Sequence, residues 1–429
     1  MEQNYEALKR VINSIVEDLE NKLPYKSKIR EMFNRCFVNT INTTVEPYEN
    51  DLSFILTGDI AAMWLRDSAA QVRHYLPFAK EYREIDLFIQ GVIKRQFMYV
   101  NIDPYANSFN RDPNGKGHKD DIAEQNDWVW ERKYEVDSLC YPVQLIYKYW
   151  KETKNDLIFT DEIKKALFSI IELWTVEQTH NEKSTYSFQR KNCPETDSLL
   201  NHGKGNDVTY TGMTWSGFRP SDDACKFGYL IPSNMFAVVI LGYIEEIARK
   251  IYKDTNLEDK ALEIKNDINS GIEKYGIYDH PKYGKIYAYE TDGNGNYNLM
   301  DDANVPSLMS IPYIEYKKAD DPIYINTRKF ILSVDNPYYF KGTHAQGVGS
   351  PHTPEGYIWH IALIMQALTS KDTKEVGSLI ATIGKTDAKT GYMHEGFDAN
   401  NPESFTRSWF AWANSLFGEL IYAMLIDKV

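Results

Sequence analysis

Apolar residues recur along this chain at helical spacing, and the strict alternation of a half-buried strand is scarce. The stretch from Met235 to Tyr252 is apolar nearly all round at its start and amphipathic towards its end, as in a helix covered on most sides. Five further stretches are comparably apolar: DSAAQVRHYLPFA from Asp67, VDSLCYPVQLIYKYW from Val136, DDANVPSLMSIPYI from Asp301, EGYIWHIALIMQAL from Glu355 and SWFAWANSLFGELIYAML from Ser408. Between them lie amphipathic stretches beginning at Ile85, Asp161, Leu257, Ile325 and Thr373, with the N-terminal segment as the sixth. An apolar helix must be enclosed, whereas an amphipathic one covers it and meets water. Six such pairs predict an all-α chain folded as an (α/α)6 toroid, with apolar helices inside and amphipathic helices outside. Length alone would allow two or three domains. A repeated unit that adds its own share of core argues instead for one catalytic domain over residues 1–429.

Loop lengths are asymmetric. Connections from an inner helix to the next outer one are short, as at Lys80, Lys151, Tyr252 and Thr369. Connections back inward are long, as in 101–135, 179–220, 277–300, 336–354 and 387–407. In a ring of hairpins the long loops share one end, and long ordered loops are commonly functional. A pocket is therefore expected where the inner helices begin.

Each long loop ends in a polar, aromatic cluster: TGDIAAMWLRDS, KYEVDSLCYP, TWSGFRPSDDAC, NLMDDANVPS, GSPHTPEGYIWH and GYMHEGFDANNPESFTRSWFAW. Helix capping accounts for an Asp, Ser or Asn at such places. It does not require Trp64, Arg66, Trp215, Arg219, His352, His394 or Arg407 beside them. Aromatic faces, amides, carboxylates and arginines together suit a sugar, and glycosidic hydrolysis needs two carboxyl groups. The candidates are Asp67, Asp137, Asp222, Asp223, Asp301, Asp302, Glu355 and Glu395. Asp222 and Asp223 are adjacent, so one is expected to face the pocket and the other to cap or to pair with a base such as Arg219.

At these motifs the sequence resembles glycoside hydrolase family 125, the exo-α-1,6-mannosidases. The resemblance runs from about Lys26 to the C-terminus and rests on TGDIAAMWLRDSAAQ, WSGFRPSDDAC, LMDDANVPSL and MHEGF. It implies an (α/α)6 barrel and an inverting, metal-independent hydrolysis of terminal α-mannose from oligosaccharides such as N-glycan fragments. It also implies Asp222 as general acid and Glu395 as general base. The remaining pocket residues, Trp64, Arg66, Asp67, Asp137, Trp215, Arg219, Asp302, Asn304, His352, His394 and Arg407, are expected to bind substrate. For Asp222 to hold a proton near neutral pH, burial beside Trp215 and Phe218, or Asp223 next to it, should raise its pKa. Arg219 should therefore touch Asp223 or the substrate and not Asp222. His360 is equally well read as a satisfied core residue.

Charge and composition narrow the alternatives. A net charge of −13 argues against nucleic-acid binding. The four cysteines, Cys36, Cys140, Cys193 and Cys225, form no CxxC pair and read as reduced thiols. The N-terminal segment lacks the apolar core of a signal peptide, and no membrane span is expected, so a cytoplasmic monomer without cofactor or metal is anticipated. DGNGNYN from Asp292 has Tyr297 and Ala303 at positions where a calcium loop requires Gly and Glu. Prenyl-diphosphate chemistry would need a second pair of aspartates near Asp120 or Asp301, which is lacking. A non-catalytic sugar-binding toroid, or an exo-α-mannosidase of another linkage, remains the competing reading.

Overall fold

The computed structural model describes residues 2–24, 27–49 and 51–427. Most of the long elements are helices, paired as the periodicity predicts. The apolar helix Ile231–Ile247 packs on the amphipathic Thr255–Tyr275 and on Val136–Thr153. Val136–Thr153 packs in turn on Leu65–Ala70, and His360–Leu368 lies between Thr373–Ile383 and Ala411–Asp427. Ala411–Asp427 returns to Leu65–Ala70 and is covered outside by Lys28–Phe37. The N-terminal helix Glu2–Glu20 buries Leu8, Ile12, Ile15, Val16 and Leu19 against this core.

Ile231–Tyr252 is apolar enough to cross a membrane, with mean hydropathy 1.3 over its most apolar window, although no such span was expected. That window is 72% buried inside the protein, so its apolarity is used up by packing.

Two expectations need correction. The stretch from Asp301 is not a regular helix: no helix is assigned between Asn298 and Pro322. Pro306 and Pro312 lack backbone donors. The Asp301 carboxylate accepts from Leu308 N (2.8 Å) and Met309 N (3.0 Å), and Ser307 and Ser310 bond each other's backbone N–H. These side chains give the backbone partners outside a helical ladder. The chain is also not purely helical. The long loops carry short strands in six small antiparallel sheets of two or three strands among the described residues.

Those sheets set the helix entrances. Met63–Trp64 pairs with Ser108–Phe109, Tyr229–Leu230 with Glu290–Thr291, and Tyr357–Trp359 with Gly396–Asp398. Each strand runs straight into an inner helix, so the N-cap positions fall on Trp64, Leu230 and Trp359, and on Glu135 for Val136–Thr153. None makes a side-chain cap bond. The outer helices, by contrast, are capped by Thr160, Asp254, Asp321 and Asp372. Capping therefore does not explain Asp67 or Asp137, which lie inside the first turns of their helices.

Candidate active site

A pocket opens where the inner helices begin. Trp64, Arg66, Asp67, Asp222, Asn304, His352, Glu395 and Arg407 line it, all singled out from sequence. Thr57, Asp59, Ser221, Trp359, Trp409, Phe410 and Trp412 join them.

Asp222 sits on a tight turn in which its N–H donates to Arg219 O (2.9 Å) and Arg219 N–H donates to Asp223 O (2.8 Å). Its φ of +65° is unusual for a residue with a Cβ. Lys133 Nζ, bonded to Asp222 O at 2.7 Å, helps hold this strained backbone. The turn sends the two neighbouring carboxylates apart. Asp222 faces the pocket, and Asp223 meets His352 Nδ1 at 3.2 Å.

Glu395 is placed by sheet register. Gly396 pairs with Thr406 in an antiparallel ladder, so Glu395 and Arg407 flank the same rung. Arg407 Nε lies 3.1 Å from Glu395 Oε1, and its other end is clamped by Asp59. Arg407 also has a left-handed φ of +53°, so both carboxylates are aimed by strained neighbouring backbone. A Cβ at Gly396 would lie 3.3 Å from Trp359 Nε1, in keeping with the close approach expected of this glycine.

Beneath Asp222 lies a cluster that only Arg66 and its neighbours hinted at in sequence. The buried Arg66 guanidinium meets Glu135 at 2.5 Å, Asp137 at 3.2 Å, Asp222 at 3.3 Å and Asp67 at 3.6 Å. Four carboxylates on one guanidinium cannot all stay charged in a buried site. Burial pushes Asp67 and Asp137 up to about 6 against the pull of Arg66. Burial, with Asp222 and Asp137 adding to it, pushes Glu135 well above the carboxylate range despite Arg66. Burial also acts on Asp222, but Arg66, a hydrogen bond with Glu135, and Lys133 and His352 outweigh it and hold Asp222 below its ordinary value. The expected rise at Asp222 is thus corrected: Asp222 is lowered, and the rise falls on its neighbour Glu135. For His352, burial opposes charge, but the bond to Asp223, with Glu395 and Asp222 nearby, raises it to about 9.

Five of the residues expected to bind substrate lie outside the pocket lining. Asp137 is wholly buried beneath Arg66, where Ser233 Oγ reaches it at 3.4 Å. Trp215 stacks on His180, with ring centres 3.6 Å apart, and is a core residue. Arg219 contacts neither Asp222 nor Asp223 through its side chain; its Nε donates to Glu290 at 2.6 Å. Asp302 turns back on Asn304, accepting from its N and Nδ2 at 3.1 Å. His394 bonds the Arg407 and Asp387 carbonyls and stacks on Phe405. Buried His360 is satisfied by the His394 backbone and Thr386. Glu135, Asn107 and Lys133 were missed. A carboxylate one residue before an apolar helix, in the position of a cap but facing an Arg from another loop, leaves no mark in a linear pattern.

Comparison with known proteins gives the family. Residues 26–422 match the family model described as metal-independent alpha-mannosidase (GH125). A solved Streptococcus pneumoniae structure, from a family of metal-independent α-mannosidases and holding α-1,6-mannobiose as a non-productive complex, is 46% identical with a TM-score of 0.95. The match covers 97% of this chain and 98% of that one. The Meiotically up-regulated gene 157 protein of Schizosaccharomyces pombe is 39% identical over 97% of this chain and 86% of its own length. A bacterial glucoamylase, 12% identical with a TM-score of 0.54 over 93% of this chain and 55% of its own, shares the fold alone. This chain belongs to glycoside hydrolase family 125, the metal-independent α-mannosidases.

Proposed function

We propose that this enzyme is an exo-acting, inverting α-1,6-mannosidase that removes terminal mannose from oligosaccharides, with Asp222 as general acid and Glu395 as general base. The observation carrying this reading is that these two carboxyls line one pocket from different walls, each held by its own arginine. In single displacement, a water between Glu395 and the anomeric carbon loses a proton to Glu395 as it attacks. Asp222 gives a proton to the departing glycosidic oxygen on the opposite face. Arg407 Nε orients Glu395 for that task. Trp64, Trp359, Trp409 and Trp412 offer apolar faces to the sugar ring, and Asn304, His352 and Asp67 offer hydroxyl partners. The α-1,6 preference is supported by the mannobiose held by the Streptococcus relative. The helix contacts support one (α/α)6 ring: five inner helices follow one another in space, and the irregular segment from Asp301 stands in the gap, where Tyr141 Oη donates to Val305 O at 2.7 Å.

The test is incubation with α-1,2-, α-1,3- and α-1,6-mannobiose while the released anomer is followed by NMR. Cleavage of the 1,6 isomer with β-mannose appearing first is expected. Initial α-mannose would rule out inversion, and an uncut 1,6 isomer would rule out the linkage.

A further inference from the structure

The acid–base pair leaves one buried group unused. Glu135 has a fully buried side chain, yet nothing in the two-carboxylate scheme requires it. Its two oxygens differ. Oε2 takes Arg66 Nη1 at 2.5 Å and Ser138 Oγ at 2.6 Å. Oε1 lies 3.4 Å from Asn107 Nδ2, which is itself 3.2 Å from Asp222 Oδ1, so the Asn107 amide and the Arg66 guanidinium both bridge the two carboxyls. Two buried carboxyl groups gathered on the same donors share a proton more readily than both stay charged. The charges around Glu135 are Arg66 and Asp67 on one helix, Asp137 on its own helix and Asp222 across the wall, with Glu131 and Lys133 on the preceding strand and loop and Arg190 paired to Glu131 at 2.7 Å. The excess is negative, so a proton is retained among them.

We propose that Glu135 is a positioning residue that stores, on Oε1, the proton Asp222 delivers to the glycosidic oxygen. The proposal rests on the assignment of Asp222 as general acid. With substrate bound, the Glu135 O–H bond breaks and an O–H bond forms on Asp222. That bond breaks in turn as the glycosidic oxygen takes the proton, and the C1–O bond opens with its electron pair on the leaving oxygen. Water attacks C1, losing its own proton to Glu395. Glu135, now a carboxylate, is held by the two donors already on Oε2. After product release Glu395 gives its proton to solvent, and the Glu135–Asp222 pair takes one up.

The test compares Glu135→Gln with the parent on α-1,6-mannobiose, whose leaving group needs a proton, and on α-mannosyl fluoride, whose leaving group does not. Expected for Glu135→Gln is a loss on the order of 10²-fold on mannobiose, a far smaller loss on the fluoride, and a basic limb of kcat/KM moved to lower pH. Equal losses on both substrates, or an unmoved basic limb, would overturn the proposal, because a merely structural role would slow both. Ser138→Ala provides the second variant, and the deciding one should Glu135→Gln not fold. Removing a donor to the Glu135 carboxylate makes the pair hold its proton more tightly, so the basic limb moves to higher pH; no movement would overturn the proposal. Asp222→Asn separates the underlying assignment: it should spare the fluoride and lose mannobiose. Equal loss of both substrates there counts against Asp222 as the acid, whatever Glu135 does.

Discussion

Arg66 is the point at which pocket and stability meet, and Arg66→Met tests the electrostatic account directly. The substitution keeps an unbranched stem and removes the only guanidinium among Glu135, Asp137, Asp222 and Asp67 in this cluster. Breaking a buried pair by deleting one partner costs about 3–5 kcal/mol, because the other charge stays buried without compensation. Here the carboxylates can escape by taking up protons, so the cost depends on pH. Asp67 and Asp137 stand at about 6 in the folded protein against an ordinary 3.8. A raised carboxyl stabilises the fold below its unfolded pKa, and that stability is lost as pH rises through the folded one. At roughly 1.4 kcal/mol per unit, each loses about 3 kcal/mol over the window from about 4 to about 6. Without Arg66 both values climb further, and the window extends to higher pH. The variant should therefore lose about 3–5 kcal/mol at pH 8 and markedly less at pH 5, where Asp67 and Asp137 are largely protonated in both proteins. The assay is urea unfolding of both proteins at the two pH values, with m-values compared to confirm a like transition. A loss equal at both pH values, or greater at pH 5, would refute charge imbalance as the cause.

Asp222→Asn and Glu395→Gln should each lower kcat on mannobiose by about 10²–10⁴-fold, with circular dichroism unchanged; near-normal turnover would remove that residue from the chemistry. Trp215→Ala should cost about 3–5 kcal/mol in unfolding free energy while leaving KM at its parent value, since the ring stacks on His180 and does not line the pocket. A raised KM with unaltered stability would return Trp215 to the sugar site. His352, raised to about 9 from 6.5 by Asp223, stabilises the fold below pH 6.5 and loses that effect as pH rises through about 9. His352→Gln should therefore narrow its stability gap to the parent between those values, and a constant gap would show the histidine to be neutral.

Helix positions were readable because burial is periodic: Ile231–Ile247, Val136–Thr153 and Thr255–Tyr275 carry their inner and outer character in the chain itself. The pocket end was readable from loop length, Arg66 and Arg407 from their place in the polar, aromatic clusters that end the loops, and the roles expected of Asp222 and Glu395 from the family resemblance. The segment from Asp301 misled because its apolar content matches a helix, while its backbone donors find the Asp301 carboxylate and the paired Ser307 and Ser310. Side chains that face inward from the ends of apolar helices look alike in one dimension. Trp215 and Trp64 have similar neighbours in sequence, yet one stacks on a histidine in the core and the other lines the pocket. Arg219 and Arg66 divide in the same way, one onto Glu290 and the other beneath Asp222.

By itself the sequence determined which segments are buried, where the long loops gather and which residue types meet there, since these follow from local composition and spacing. Only the tertiary structure decided which carboxyls share the buried Arg66. That choice depends on distances among Arg66, Glu135, Asn107 and Asp222, contributed by four separate segments, and on a buried setting where a shift of about an ångström changes which charge is tolerated.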